Sequence, residues 1–527
     1  MKILLFSYNA SFVQTSLGIR CIKDALLDLP VEVEISESTE KEPYDRVLAN
    51  LVSKKADIYG FSAYIWNITA SLRLAEDLKS LLPNSKIVFG GPEVSFCDDN
   101  FFALHPFVDT VIQGEGESAW QELCTEYKYG IVKGEKFRNF ENTGIHYSSD
   151  DALKSSIVYY ESSRGCPFHC AYCLSASDNS LRMKTVEKTL EDLMSFEALD
   201  GIKIIKFVDR TFNADRKRAN SIWRALLSSD FTKNYHFEVC AFLIDEEALD
   251  ILSKFPKGKI RLEIGVQSTN PETLRAVNRS EEVDKVIDVI KRLHALHNLT
   301  IHTDLIVGLP HESLSIFKDS FNSLYGLCNM LQVGFLKLLK GSPLESIKDR
   351  YGYVFSSHPP YTVLKNDSLS ESELFTLKNF EKCFDRYSSA GFARSLAILS
   401  QRINPFDLFL SLSEFIEENS GDITKLSQNR AYIMLYDFAR EKNLLDSSLI
   451  IALRLDFLLA ENGRMPSPLY CDEYQSPSLK SSFARANPEF FFPAITIYSF
   501  PEDGDNLYFI DRKNHLLKIC STEGLSL

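Results

Sequence analysis

The chain has 527 residues, more than one ordinary domain holds, which predicts two to four domains. Hydrophobic residues make up 45% of it and charged residues 25%, which excludes disordered and fibrous proteins, and no apolar run approaches the length of a membrane-spanning helix. A net charge of −14 disfavours non-specific binding to nucleic acid or to an anionic membrane. The apolar residues 3–6 lack a cleavage site and are interpreted as a first strand, so we expect a soluble, cytoplasmic protein.

The first 130 residues alternate strand-like and helix-like segments, which is typical of a parallel α/β sheet. Apolar residues at helical spacing over 68–82 predict an amphipathic helix. We therefore predict a doubly wound, Rossmann-like domain over 1–130 and, because the next residues are polar and aperiodic, a linker over 131–155. The predicted strands are 2–6, 31–35, 57–62, 86–90 and 108–113.

A second α/β series follows the predicted linker. Six β-α units are too few for a closed eight-unit barrel, so residues 156–345 are predicted to form a partial (β/α)6 barrel of the TIM type. Its predicted strands are 157–160, 203–208, 236–241, 260–266, 300–307 and 332–338.

The remaining residues, 346–527, have a different pattern. A capping box at 370–373 predicts the start of a helix, and further helical segments continue to about 465. Strand-like segments at 495–500, 507–511 and 515–519 predict a small antiparallel meander. We expect a mostly helical C-terminal domain that ends in this meander.

Three of the eleven cysteines lie within eight residues, in the pattern Cys166-x3-Cys170-x2-Cys173. The other eight are scattered, which is not a disulfide framework. A structural zinc site would need a fourth ligand nearby, and His169 has little freedom to provide it. A four-iron cluster held by three thiolates instead leaves one iron open to bind a small molecule.

The cysteine pattern, with Tyr172 before the third cysteine, resembles the signature of the radical S-adenosylmethionine (SAM) enzymes. The resemblance implies that Cys166, Cys170 and Cys173 bind a [4Fe-4S] cluster whose open iron is chelated by SAM. It also implies that one electron, from a low-potential donor such as flavodoxin or ferredoxin, cleaves SAM to methionine and a 5′-deoxyadenosyl radical.

Further elements stand in the order of that family, near the C-terminal ends of predicted barrel strands. Asp209 stands where the family usually has a Gly-Gly-Glu-like element, although the glycines are missing here. Each acid alone could equally be a solvated loop carboxylate or a helix cap. The SAM-binding residues that the resemblance implies are Tyr172, Asp209, Glu238, Gln267, Arg279 and Gly308.

In the first domain, unusual residues follow the third, fourth and fifth strands, where parallel sheets bind ligands. Placed ahead of a radical SAM barrel, they resemble a cobalamin-binding domain. The loop over 7–18 has no histidine, so the cobalt would lack the histidine lower ligand of methionine synthase-type domains. The alternatives are a domain that has lost cobalamin and, for Tyr64 and Trp66, ordinary core packing. The implied cobalamin-binding residues are Ser62, Tyr64, Trp66, Gly90, Gly91, Pro92, Glu93, Gly114, Glu115, Gly116 and Glu117.

Together these resemblances imply a cobalamin-dependent radical SAM methyltransferase that methylates an unactivated carbon. A non-methylating rearrangement or cyclisation, and a cobalamin-binding carrier or sensor with an inactive barrel, remain open. The net charge of −14 favours a small-molecule or peptide substrate over RNA, and no membrane partner is expected. Residues from about 355 resemble a domain of unknown function that accompanies some of these proteins.

Overall fold

The structure, a computed structural model, describes residues 1–177, 180–228, 230–279, 282–388, 390–460 and 463–521. The chain forms two compact units, Met1–Ser370 and Glu371–Leu527. The first unit contains two large parallel sheets, one in the N-terminal domain and one in the barrel.

The N-terminal sheet has six parallel strands in the order β2-β1-β3-β4-β5-β6. The order reverses between β1 and β3, which makes a topological switch point where open α/β sheets bind ligands. The strands are β1 (Lys2–Asn9), β2 (Glu32–Thr39), β3 (Ile58–Ser62), β4 (Lys86–Gly90), β5 (Thr110–Gly114) and β6 (Gly130–Gly134).

Helices cover both faces of this sheet, so the doubly wound prediction is confirmed. One face packs apolar side chains against α2 and α3, and the other packs against α1 and α5. The helices are α1 (Leu17–Ala25), α2 (Tyr44–Lys54), α3 (Ile68–Leu81), α4 (Asn100–Leu104) and α5 (Gly116–Thr125).

The segment predicted as a linker, 131–155, contains structure that the sequence reading missed. Most of strand β6 lies in it and extends the sheet, with Ile131 and Val132 paired to residues of β5. A short helix, α6 (Ser149–Lys154), follows with a capping box at Ser148. The strand was missed because only three residues separate its flanking glycines, too few to show alternation.

The second sheet has six parallel strands in the order β14-β13-β12-β11-β10-β7, with β7 and β14 at its edges. This open sheet confirms the partial barrel. The pair β8 (Ser163–Arg164) and β9 (Arg182–Met183) forms a separate antiparallel ribbon after β7. The sheet strands are β7 (Ile157–Tyr160), β10 (Ile204–Phe207), β11 (Asn234–Glu238), β12 (Ile260–Gln267), β13 (Thr300–Val307) and β14 (Met330–Phe335).

Along a barrel strand, residues that face the interior alternate with residues that face the exterior. On β13, Ile301, Leu305 and Val307 are fully buried, at most 1% exposed, while His302 and Asp304 occupy the opposite face. Helix α9 starts where the Asp245 carboxylate accepts a hydrogen bond from Ala248 N at 2.9 Å. The helices of this region are α7 (Val186–Glu197), α8 (Arg216–Ser228), α9 (Glu246–Ser253), α10 (Pro271–Ala276), α11 (Val283–Ala295), α12 (Leu314–Leu324) and α13 (Leu344–Ile347).

The first unit ends with a short hairpin, β15 (Val354–Phe355) and β16 (Val363–Lys365). The compact unit therefore runs to Ser370, beyond the predicted barrel end at 345. No helix among the described residues is long and apolar enough to cross a membrane.

The second unit is helical and closes with an antiparallel meander, β17 (Ile495–Phe500), β18 (Asp503–Asp511) and β19 (Leu516–Ser521), as predicted. Apolar residues of the meander pack against Leu479 and Phe483 of α19. Its helices are α14 (Glu371–Tyr387), α15 (Ala393–Arg402), α16 (Pro405–Ser420), α17 (Gln428–Glu441), α18 (Ser447–Ala460) and α19 (Pro477–Ala486).

Candidate functional site

The three clustered cysteines lie in the loop between β8 and β9, beyond the C-terminal end of β7. Cys166 and Cys170 are each 8% exposed, Cys173 is half-buried, and all three thiols are free. The loop is tightly folded, because Cys173 N donates to Cys170 O at 3.0 Å and Ala171 N donates to Val277 O at 2.9 Å. The chain therefore gathers three potential thiolate ligands at the end of a barrel strand.

The spacing of the three sulfur atoms bears on the metal that they can bind. Two thiolates on one zinc ion lie at most about 4.6 Å apart, twice the Zn–S bond length. Within the described residues, the group of three potential ligand side chains whose ligand atoms all lie within 4.8 Å of one another is Glu263, His302 and Asp304, not the cysteines. At least two of the three sulfur atoms are therefore more than 4.8 Å apart, further than two thiolates on one zinc ion, which favours a larger cluster with one thiolate per iron.

Arg279 joins the cysteine loop to the end of β12. Its Nη1 lies 3.8 Å from Cys170 Sγ and 3.4 Å from Tyr172 OH, and its Nη2 donates to Gly265 O. Burial raises the pKa of the Cys170 thiol, while the guanidinium of Arg279 opposes that rise by favouring the thiolate. Three predicted site elements, Tyr172, Arg279 and the end of β12, therefore meet beside one cysteine.

The end of β12 has a bulge and a strained residue. The register of β12 against β13 shifts between Gly265 and Gln267, and Gln267 has φ +73°. A left-handed conformation is unfavourable for a residue with a side chain, and such strain is concentrated at functional sites. Gln267 Oε1 is buried without a hydrogen-bond partner in the described part of the chain. An acceptor left open in this way fits a ligand that donates a hydrogen bond.

Gly308 follows β13 with φ +95°, a conformation that favours glycine. Its carbonyl oxygen accepts hydrogen bonds from Tyr353 OH at 2.8 Å and from Asn366 Nδ2 at 3.0 Å. The segment around β15 and β16 therefore fixes the loop in which the sequence predicts a SAM contact.

Asp209 lies deeper than the sequence reading expected. It is fully buried, and its carboxylate accepts hydrogen bonds from both Ser162 N and Ser162 Oγ. Burial raises its pKa. Because both carboxylate oxygens accept hydrogen bonds from the residue just before β8, Asp209 holds the base of the cysteine loop.

The inner face of the barrel carries a row of titratable side chains that the sequence analysis did not single out. Glu263 accepts from Lys206 Nζ at 3.0 Å, and its Oε2 lies 2.9 Å from His236 Nε2. Burial raises the pKa of Glu263, but these two neighbours outweigh it and lower that pKa to about 2. The sequence could have predicted this row from the polar residues at alternate positions of strands β10 to β13, because residues i and i+2 lie on the same face of a strand.

Other acids of this inner face have raised pKa values. Burial, and then repulsion by Glu263 and Glu238, raises the pKa of Asp304 to about 7. Burial also raises the pKa of Glu238, which ends β11 and is one of the residues that the resemblance implies to bind SAM. Glu238 is half-buried.

In the N-terminal domain, the loop after β3 presents an aromatic pair. Tyr64 and Trp66 stack with their ring centroids 4.4 Å apart, and Trp66 is 55% exposed. Asn67 fixes the loop, because it accepts from Tyr64 N at 2.8 Å and donates to Tyr8 O at 3.1 Å. A tryptophan held rigidly with half of its surface exposed fits a wall for a large flat ligand.

Different steric constraints explain the glycines of these loops. Gly91 has φ +117°, and a Cβ there would lie 2.6 Å from Ala63 O, so the loop after β4 passes directly over the loop after β3. A Cβ on Gly114 would lie 2.8 Å from Gly134 O, and one on Gly116 would lie 3.3 Å from Ile22 Cδ1. Packing inside the protein therefore accounts for Gly114 and Gly116 without a cofactor. A Cβ built on Gly90 would have no backbone atom closer than 4.0 Å. Pro92 follows Gly91 in the loop that also contains Glu93.

The three acids predicted to bind cobalamin form ion pairs with the barrel half of the unit. Glu93 is 6% exposed and accepts from Lys340 Nζ at 2.8 Å and from Tyr361 OH at 2.6 Å. Glu115 accepts from Arg164 Nη1 at 2.9 Å and also from Arg182. Glu117, 5% exposed, accepts from Arg164 Nη2 at 2.6 Å.

The structure places Glu93, Glu115 and Glu117 in ion pairs, and their contact with cobalamin stays a prediction. Their carboxylates form ion pairs with Lys340, Arg164 and Arg182, because a buried charge must be paired with an opposite one. The pairs also orient the two sheets. Acids after β4 and β5 meet residues that follow β14 and β7, so the carboxyl-end loops of the N-terminal sheet face the carboxyl-end loops of the barrel.

Three family models match the chain in succession. The B12 binding domain matches residues 7–124, the radical SAM superfamily matches 160–324, and a protein family of unknown function, DUF4080, matches 349–489. The chain therefore contains a radical SAM domain and, ahead of it, a B12-binding domain.

Two similar curated proteins are methyltransferases. A 2-(S-pantetheinyl)-carbapenam-3-carboxylate methyltransferase of Streptantibioticus cattleyicolor is 25% identical over 367 residues, 61% of this chain and 53% of that protein. The cobalamin-dependent radical SAM methyltransferase TokK of Streptomyces tokunonensis is 26% identical over 343 residues, 56% of this chain and 49% of that protein. The chain thus spans about half the length of these relatives.

Among solved structures, the cobalamin-dependent SAM radical enzyme OxsB with aqua-cobalamin bound superposes with a TM-score of 0.61 at 15% identity, over 87% of this chain and 79% of that one. At this identity the likeness confirms the fold. The two domain families imply a [4Fe-4S] cluster, SAM and cobalamin as cofactors. The three spaced thiols, the open acceptor of Gln267 and the exposed Trp66 fit them.

Proposed function

We propose that the chain is a cobalamin-dependent radical SAM enzyme that methylates an unactivated carbon. The observation that carries the proposal is the set of ion pairs from Arg164 and Arg182, which flank the cysteine loop, to Glu115 and Glu117. Residues that would bind the cluster and residues that would bind the corrin are thereby held on facing loops of one unit. The curated relatives named above as methyltransferases support the same reaction class.

In this proposal Cys166, Cys170 and Cys173 bind the cluster, and Tyr172, Glu238, Gln267, Arg279 and Gly308 bind SAM. When bound, the cluster and SAM supply an organic radical, and cobalamin supplies the methyl group. The chain's own groups orient these cofactors and exclude water. Arg279 places a positive charge beside Cys170, and Asp209 holds the base of the loop through Ser162.

Trp66 and Tyr64 are proposed to wall the corrin, with Ser62 and the segment Gly90-Gly91-Pro92 beside it. Ser62 Oγ donates to Ser7 Oγ at 2.8 Å, so the two strands that flank the switch point present hydroxyls to the same edge. Residues 7–18 contain no histidine, so that loop would offer no imidazole ligand to the cobalt.

The partners follow from charge and redox chemistry. We propose a small-molecule or peptide substrate, because a net charge of −14 disfavours RNA. An electron donor such as flavodoxin or ferredoxin would supply the low-potential electron. The eleven cysteines are an odd and mostly scattered set and not a disulfide framework, which supports a reducing compartment such as the cytoplasm.

The test is reductive cleavage of SAM by the anaerobically reconstituted chain, with Cys170→Ala beside Cys383→Ala as a matched control. We expect 5′-deoxyadenosine from the wild type and from Cys383→Ala, whose thiol lies in the helical unit. Cys170→Ala should form none. Undiminished cleavage by Cys170→Ala would refute the radical mechanism. Retention of cleavage without methyl transfer to any supplied substrate would favour the rearrangement or cyclisation alternative.

A further inference from the structure

The lumen of the partial barrel contains a compact group of metal-ligand side chains that is separate from the cysteine loop. Glu263 lies on β12, and His302 and Asp304 lie on the neighbouring β13. One ligand atom from each of the three lies within 4.8 Å of the others. The backbone sets this arrangement, because His302 pairs with Glu263 in the strand register and Asp304 follows on the same face.

The imidazole of His302 lacks the hydrogen bond that a buried ring nitrogen requires. His302 is 9% exposed, and its Nε2 has no hydrogen-bond partner among the residues that the structure describes. Asp304 Oδ1 lies 3.3 Å away, in contact with this nitrogen but outside hydrogen-bonding geometry. An unsatisfied buried polar group costs roughly 1–3 kcal/mol, so a ligand that accepts the nitrogen lone pair would remove that cost.

A second imidazole lies beside the first group. His236 is 8% exposed, and its Nε2 contacts Glu263 Oε2 at 2.9 Å, again without a hydrogen bond of ordinary geometry. Lys206 Nζ donates to the same Oε2 at 3.0 Å. Both neighbours therefore use one oxygen of Glu263, and no hydrogen bond is recorded to Oε1 within the described residues.

The charges of this group do not cancel. Glu263 and Asp304 carry two negative charges when ionised, and Lys206 compensates one of them.

We propose that Glu263, His302 and Asp304 form a binding site for one divalent transition-metal ion, such as Zn²⁺ or Fe²⁺, inside the barrel. Two carboxylates and one imidazole are a donor set that these ions prefer, and it differs from the thiolates of the cysteine loop. The ion would balance the charge of the carboxylates and take the lone pair of His302 Nε2. The proposal does not depend on the reaction proposed above.

The first test uses the chain without its cluster ligands, Cys166→Ala, Cys170→Ala and Cys173→Ala combined. Titration with Zn²⁺ and with Co²⁺ in a calorimeter should give one ion per chain with a dissociation constant of micromolar or tighter. Bound Co²⁺ should show visible d–d bands of nitrogen and oxygen ligands without thiolate charge-transfer bands. Absence of saturable binding, or thiolate bands alone, would overturn the site.

Variants assign the ion to the lumen. In the same background, His302→Ala and Asp304→Asn should each weaken Co²⁺ binding at least tenfold, whereas His294→Ala, in the last turn of α11, should not change it. Equal affinity in all three variants would overturn the assignment. Binding of methylammonium in place of either metal ion would also overturn it and would assign the group to an organic cation.

Wild-type protein gives an independent measurement that does not need the cysteine variants to fold. After anaerobic reconstitution with iron and sulfide, the ratio of iron to sulfide should be about five to four, one iron above a four-iron cluster. His302→Ala should return the ratio to about four to four. A ratio unaffected by His302→Ala would contradict the proposal.

Discussion

Arg164 of β8 donates from Nη2 to Glu117 Oε1 at 2.6 Å, joining the ribbon that carries the cysteine loop to the first turn of α5. The same guanidinium donates to Glu115 and Glu161 at 2.9 Å each. One side chain therefore holds three carboxylates, and it is 13% exposed. Both loops that would carry cofactors depend on this contact.

Replacing Arg164 by Met should destabilise the chain, because three carboxylates would lose a buried partner. Breaking a buried ion pair costs about 3–5 kcal/mol, so a loss of at least 3 kcal/mol in the free energy of unfolding is expected. Arg224→Met is the matched control, since its pair with Glu247 has side chains 54% and 56% exposed. That change should cost under about 1 kcal/mol. Equal effects of the two changes in denaturant titrations would contradict the bridging role.

Replacing Gln267 by glycine should weaken SAM binding, yet it should give a more stable chain than replacement by alanine. Gln267→Ala and Gln267→Gly both remove the open amide acceptor, and each should weaken SAM binding about tenfold, equivalent to about 1.4 kcal/mol. Only glycine relieves the strain of φ +73°. Gln267→Gly should therefore be more stable than Gln267→Ala by about 1 kcal/mol. Equilibrium dialysis and thermal unfolding measure the two effects. Unchanged SAM affinity would remove Gln267 from the site.

Trp66→Ala should weaken corrin binding about fivefold to tenfold, since a stacked aromatic contributes roughly 1 kcal/mol beyond its buried area. Little stability should be lost, because Trp66 is 55% exposed. Leu104→Ala, at a residue 67% exposed in α4, serves as the control and should leave corrin affinity unchanged. The measurement is absorbance of retained hydroxocobalamin after desalting. Equal retention by Trp66→Ala and wild type would assign Trp66 no part in the corrin wall.

Glu312 should make stability depend on pH. Burial raises the pKa of Glu312 from 4.5 to about 8 in the folded chain, although Ser268 and Ser320 oppose the rise. Between these values the unfolded chain is ionised and the folded chain keeps the proton. Stability should therefore fall by up to about 1.4 kcal/mol per pH unit as the pH rises through this window.

Glu312→Gln removes the ionisable group and with it this dependence. The difference in denaturation midpoint between wild type and Glu312→Gln should shift in favour of the variant between pH 5 and pH 8. Parallel pH profiles would show that Glu312 is already ionised in the folded chain.

Local patterns predicted the elements well where they are long or strongly alternating. Strand β13 was predicted at 300–307 and is found at Thr300–Val307, because the apolar residues Ile301, Leu305 and Val307 alternate there with inward-facing residues. Strand β11 was predicted too late, at 236–241, and is found at Asn234–Glu238. The apolar residues 239–241 continue the hydrophobic run after the strand has ended, and hydrophobicity alone does not mark the boundary.

The site likewise contains residues that the sequence predicts and residues that it does not. The cysteine loop was predictable because its ligands lie within eight residues. The partners of Glu93, Glu115 and Glu117 lie 47 to 268 residues away, and a sequence pattern does not state which charges meet across such distances. The lumen group was missed for the same reason, since His302 and Glu263 become neighbours only through strand pairing.

The central claim is that one chain binds both a four-iron cluster and a corrin. The most direct test is to reconstitute the protein anaerobically with iron, sulfide and hydroxocobalamin, desalt it, and determine sulfide and corrin in the same sample. We predict about four sulfides and about one corrin per chain. Sulfide without corrin would show that the N-terminal domain does not bind cobalamin. Corrin without sulfide would contradict the radical mechanism and favour a cobalamin carrier or sensor.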